Sequence, residues 1–168
     1  MEILADEKIS IYKPKKDQCD TCLGYKHGSV SKEIYDEHQM KKEEGRRAKE
    51  NDKVTAKHVY TMDVEAVLLC PRTRASAMYY HRKLAVHNFT IYNLKTADAH
   101  CFLWDETVAD LSASVFASML VNFIVMKILF QEGDEIIFFS DGCTYQNRNS
   151  VLADALLDVA IIKKIYII

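Results

Sequence analysis

The chain of 168 residues has no secretory leader in evidence: it opens MEILADEKIS, without a basic start or an apolar stretch. It also lacks a disulfide framework, because its five cysteines are scattered. An intracellular, reducing setting, nuclear or cytoplasmic, is therefore expected. Proline is scarce, with Pro14 in a charged arm and Pro71 closing a strand. No apolar run is both long and uninterrupted. ASVFASMLVNFIVMKILF, from Ala113 to Phe130, carries Ser114, Ser118 and Asn122 as an i, i+4, i+8 polar stripe, and Lys127 breaks it further. That pattern fits a buried core helix rather than a membrane span, and no membrane partner is expected. Acids are missing altogether from Ala66 to Ala97, where Arg72, Arg74, Arg82, Lys83 and Lys95 leave a positive stretch.

What is present suits one ordinary domain or a domain with an appendage. The hydrophobic fraction of 49% allows a core, and the net charge of −2 favours no partner by itself. Acids and bases alternate from Glu2 to Lys57, and the part from Asp98 onward is predominantly acidic. Three segments follow: a charged arm at 1–17, a helical segment at 18–57 that opens on a cysteine pair, and a core at 58–168. Within 18–57 the stretch from Ser31 to Asp52 reads as an exposed helix, capped by Ser31 and supported by acid–base pairs one turn apart.

From Lys57 the chain changes period. KHVYTMDVEAVLL reads as a strand, KLAVHNFTIYN alternates more clearly, and DAHCFLWDE is a third strand reached through the turn LKTAD. The apolar helix of residues 112–130 follows, then the short, continuously apolar strand DEIIFFSD, expected to be buried on both faces. NSVLADALLDVA returns to helix period, with Val151, Ala155, Leu156 and Val159 inward and Asp154 and Asp158 outward. KKIYII gives a last strand. The order β-β-β-α-β-α-β is that of a mixed α/β sheet of the ribonuclease-H-like kind, in which the first and fourth strands are parallel neighbours. Asp63 would then lie on the first strand and Asp141 just past the end of the fourth. Two carboxylates so placed suit a divalent ion, since hard cations take oxygen ligands and phosphodiester chemistry uses them to activate attacking and leaving oxygens. The plainer reading is that Asp141 and Gly142 only make a strand-ending turn.

Four stretches in order, DVEAVLLCP, YYHRKLAVHNFTIYN, FLWDET and FFSDGCTYQNRN, resemble a family of transposon-derived, DDE transposase-like proteins widespread in animal genomes, much of it catalogued as a domain of unknown function. The family pattern runs Asp-Leu-Gln-x-Val-Leu before a proline, Tyr-x-Arg/Lys-x-Leu-x-Val-Tyr-Asn-Phe, Trp-x-Glu, then Ser-Asp-Asn-Cys-x-Gly-Gln-Asn-Lys-Asn. The likeness covers roughly Cys19 to the C-terminus. It implies a ribonuclease-H-like core that cuts and joins DNA with Mg²⁺ or Mn²⁺, with Asp63 and Asp141 as the first two catalytic acids and metal ligands. Gly142 stands where the family commonly has Asn, and Tyr145 replaces a glycine. Family members also continue past the last strand into a helix with further acids. No third catalytic acid is identified in this chain, so a C-terminally truncated core with an incomplete catalytic set is expected.

Two further constellations bear on function. CDTC places Cys19 and Cys22 at the spacing that grips one zinc ion. The family resemblance points to His38 as third ligand, and His27 is the candidate for the fourth; the alternative is a pair of free thiols. The acid-free stretch mixes Arg72, Arg74, Arg82 and Lys83 with Tyr79, Tyr80 and His81, which suits phosphate neutralisation and base stacking. The aromatics could equally pack under the strand. With Arg148 these bases form the expected DNA contact set. The expected partner is DNA, as transposon ends or genomic DNA, and self-association is left open. The competing expectation is a non-catalytic, zinc-containing DNA- or protein-binding remnant. His87 and His100 read as strand residues rather than ligands.

Overall fold

A computed structural model of the chain describes residues 19–73 and 75–168. The charged arm at 1–17 and Arg74 thus lie outside the described residues. The fold divides into two compact units, Met1–Ala48 and Lys49–Ile168.

The first unit holds α1 (Asp20–Lys26) and most of α2 (Lys32–Thr55). Helix α1 stops because Gly28 takes φ +76°, the left-handed conformation glycine adopts without a Cβ clash, while the His27 and Gly28 amides cap the Leu23 and Tyr25 carbonyls. Ser31 opens α2 as its sequence suggests, its hydroxyl accepting from the Ile34 amide at 3.5 Å. Tyr25 and Tyr35 stack across the turn at 4.1 Å. Neither helix contains a fully buried residue. This hairpin therefore has no hydrophobic core of its own.

The second unit is a mixed α/β structure on a six-stranded sheet: β1 (His58–Val64), β2 (Leu68–Cys70), β3 (Leu84–Asn93), β4 (Ala99–Asp105), β5 (Glu135–Phe139) and β6 (Tyr166–Ile167). Strand β3 pairs antiparallel with β4 on one side and with β1 and then β2 on the other; β1, β5 and β6 run parallel. The single long strand expected over residues 57–69 is in fact two. Val64 faces Phe89, but Leu68 faces Val86, so residues 65–67 oppose only residues 87 and 88. One extra residue makes a β-bulge, which bends the chain just after Asp63.

Helices α3 (Ala113–Lys127) and α4 (Ser150–Lys163) supply the crossovers to β5 and β6. The apolar run of the sequence becomes α3, and Phe116, Ala117, Leu120, Phe123 and Ile124 are its buried face. Ser114, Ser118 and Asn122 form the exposed stripe, and no helix among the described residues is long and apolar enough to cross a membrane. The helix ends at Lys127, earlier than its hydrophobicity suggests, because buried Ile128 turns extended at ψ 123°. Alternation puts Tyr60, Met62, Phe89, Ile91 and Trp104 on one sheet face, where they form a single core with α3 and α4. In α4 Leu152 and Val159 are buried, and Ala155 and Leu156 pack against the core as expected; Val151, expected inward, is exposed at 46%. It is Leu152, not Val151, that falls a heptad from Val159, and Asp154 and Asp158 do face solvent.

Strand β5 is less enclosed than a strand buried on both faces would be. Ile136 and Ile137 are buried, whereas Phe138 and Phe139 are half-exposed. The second face carries Thr61, Asp63, Asn88, Thr90, Cys101 and Leu103, none of them fully buried. It is this face that the two aspartates share.

Candidate active site and candidate metal centre

Parallel pairing sets the geometry of the aspartate pair. Thr61 of β1 lies opposite Phe139 of β5, and two residues further along each chain come Asp63 and Asp141. Both acids sit at the C-terminal ends of adjacent parallel strands, the usual place for a site in such sheets. They line one groove of about 290 Å³ together with Lys49, Thr61, Met62, Phe139 and Ser140. Asp63 Oδ1 accepts from the Val64 amide at 2.8 Å. Asp141 Oδ1 accepts from the Cys143 amide at 3.1 Å and from Asn147 Nδ2 at 2.9 Å. Asp141 is thus a turn residue through one oxygen, and its other oxygen is engaged by none of the described residues. The polar tract behind it leads into α4, whose first turn is capped by Asn149 accepting from the Leu152 amide at 2.8 Å.

The groove thus holds two carboxylates, oxygen donors of the kind that hard divalent cations take. Among the described residues no third acid lines the groove. Of the groove's polar residues, sequence reading missed Lys49, Thr61 and Ser140. Lys49 is buried in the alternating charges of α2 and gives no signal, whereas Thr61 shares strand parity with Asp63 and could have been found that way.

The expected DNA contacts are dispersed. Arg72 and Lys83 line an open groove of about 470 Å³ with Val67, Leu68, Leu69 and Cys70. Arg82 reaches Glu106 at 3.5 Å, and Arg148 lies against Gly142. Tyr79 and Tyr80 do not pack under the strand. They are 78% and 91% exposed, in edge-to-face contact at 5.1 Å on a short 3₁₀ turn. His87 is buried beside its cross-strand neighbour Trp104, and His100 packs on Phe102, as strand residues should.

In the first unit Cys19, Cys22 and His38 come together, their ligand atoms all within 4.8 Å of one another, so the group could hold a metal such as zinc. Cys19 caps the start of α1, Cys22 follows one turn later, and the hairpin brings α2 back past them. Cys19 Sγ lies 3.2 Å from His38 Nε2, and Gln39 Nε2 donates to Cys22 Sγ at 3.2 Å. The Cys19 thiol is held below its ordinary value, chiefly by the backbone amide of Cys22, with the Thr21 amide adding to the effect. That favours the thiolate a metal needs. His27 does not join the group. It caps the far end of α1, some 7 Å of helix rise beyond Cys22.

Comparison with protein-family models, with curated proteins and with solved structures returns no match for this chain. The functional reading rests on the fold and these two sites.

Proposed function

We propose that the second unit is a ribonuclease-H-like core of DDE transposase-like descent that acts on phosphodiester bonds of DNA with a divalent ion. The observation that carries this reading is the shared groove of Asp63 and Asp141, at the ends of neighbouring parallel strands. The sheet order β4-β3-β1-β5-β6, with β3 antiparallel, supports it, as do the ordered sequence motifs. Asp63 and Asp141 would hold Mg²⁺ or Mn²⁺, which when bound supplies charge stabilisation to the attacked phosphate. Asn147 and the Cys143 amide engage one oxygen of Asp141, and the other would be available to such an ion. DNA nicking by the chain in Mg²⁺ or Mn²⁺ should fall by about a hundredfold or more in Asp63→Asn and in Asp141→Asn, since each removes a charge on which transition-state stabilisation depends. Undiminished nicking in either variant would exclude the assigned role.

A second reading has its own observation. The cluster of Cys19, Cys22 and His38 sits in a helical hairpin without a buried residue, where a bound zinc would do the work of a core. On that reading the chain is a zinc-containing DNA- or protein-binding remnant. It predicts one zinc per chain by elemental analysis and salt-sensitive DNA binding without cleavage. A metal-free preparation that cannot be loaded with zinc eliminates it.

A further inference from the structure

Among the described residues Lys49 is the groove's only base, and its placement sets it apart from its neighbours on α2. Lys32, Lys41, Lys42, Arg46, Arg47 and Lys53 are all exposed, whereas Lys49 is half-buried. Its ammonium lies 3.5 Å from Thr61 Oγ1 and 5.6 Å above the Phe139 ring, on the sheet face that bears both aspartates. Among the described residues it forms no ion pair. A hydroxyl and a ring face hold the ammonium in place without forming an ion pair with it, which leaves it able to contact an anion entering the groove.

Charge counting indicates the partner. Asp63 and Asp141 carry two negative charges, a divalent ion cancels them, and a phosphodiester then brings one more negative charge that nothing else lining the groove offsets. One ammonium restores neutrality. We propose that Lys49 is a phosphate-contact residue of this groove, and that the ligand completing the site is a nucleic-acid backbone phosphate. This rests on the divalent-ion reading of the aspartate pair. Thr61 and Phe139 act as positioning groups: they hold the ammonium over the strand ends without neutralising it.

The same geometry has a consequence for the ion alone. With no phosphate present, the ammonium repels a divalent cation entering beside the two carboxylates. Lys49 therefore weakens metal binding in the free chain and strengthens DNA binding in the metal-loaded one. A purely structural lysine would do neither.

The test uses the full chain, Mn²⁺ binding followed by electron paramagnetic resonance, and a short DNA duplex titrated in Ca²⁺ at several salt concentrations. Lys49→Gln is expected to tighten Mn²⁺ binding about two- to fivefold, as expected for removing a like charge at close range in a partly solvated site. It should weaken DNA binding about tenfold at low salt and reduce the salt slope by about one, and Lys49→Arg should restore both. Unchanged Mn²⁺ and DNA affinities in Lys49→Gln, with Mn²⁺ binding lost in Asp63→Asn, would overturn the Lys49 assignment alone. Mn²⁺ binding indifferent to Asp63→Asn would overturn the aspartate reading and this inference with it.

Discussion

Ala97 takes φ 62° in the turn between β3 and β4, a conformation that costs a non-glycine residue about 1 kcal/mol. The turn tolerates it because Asn93 organises the loop, its Oδ1 accepting from the Lys95 amide at 2.9 Å and the Thr96 amide at 3.2 Å. Replacing Asn93 by Ala leaves both amides without that acceptor and should cost about 1–2 kcal/mol in denaturant unfolding. Ala97→Gly relieves the strain but frees the unfolded chain by about 0.4–1 kcal/mol, so the two effects nearly cancel. A loss above about 1 kcal/mol in Ala97→Gly would contradict this account of the turn. The same contrast between local and tertiary causes explains what single residues disclose in the sequence. Asp141 is conspicuous because an apolar strand stops at it. Lys49 is invisible because its distinction, half-burial over Phe139, arises only in the folded second unit, where it packs over the end of β5.

Elements disclose more than residues where their period is governed by one buried face. Strands β3 and β4 alternate because one side of each packs on α3, and their pairing runs in continuous register from Val86 to Tyr92. The bulge after Val64 escaped the same reading because an extra residue keeps the composition of a strand while shifting its partner. Helix α1 was visible only as a cysteine spacing, since seven residues without a buried side chain show no helical period. That lack of burial makes the hairpin dependent on other ties. If zinc holds Cys19, Cys22 and His38, its removal by a strong chelator should lower helical circular dichroism, while the fluorescence of Trp104, the only tryptophan, stays that of a buried ring. Chelation that leaves the helical signal intact would exclude metal as the hairpin's support. Gly24→Ala offers a second probe. Its Cβ would meet Val30 Cγ2 at 2.7 Å. Helix propensity would contribute about 1 kcal/mol in favour, but overpacking costs about 1–3. The clash wins because a β-branched neighbour has little rotamer freedom to move aside. Weaker zinc binding in Gly24→Ala is the expected result, and unchanged binding would show that the turn does not position the ligands.

Across the whole second unit, charge is used at the edges of the sheet rather than in its core, and acid should therefore loosen it from the edges. Asp134 shows how. It precedes β5 and accepts from Lys57 Nζ at 2.6 Å and from the Gln131 amide at 2.8 Å, with His58 Nε2 3.5 Å away at the start of β1. These contacts, the Lys57 hydrogen bond foremost, hold its carboxyl below the ordinary range. Asp105 and Asp110 are lowered too, chiefly by the Thr107 and Ser112 hydroxyls. A carboxyl whose folded value lies below its unfolded one stabilises the fold fully above the unfolded value, and that contribution disappears as pH falls through the folded one. Asp110 is exposed and Asp105 and Asp134 are partly so, so each contribution is small and screened by salt. The expected profile is a melting temperature insensitive to these three groups from neutral pH down to the ordinary carboxylate range, declining below it. Asp134→Asn keeps an acceptor for the Gln131 amide but loses the charge facing Lys57. It should lower the neutral-pH melting temperature slightly and make the acid decline shallower, and high salt should narrow the difference from the parent chain. An acid limb identical in parent and variant would mean that the Lys57–Asp134 contact at the N-terminal ends of β1 and β5 does not couple protonation to folding.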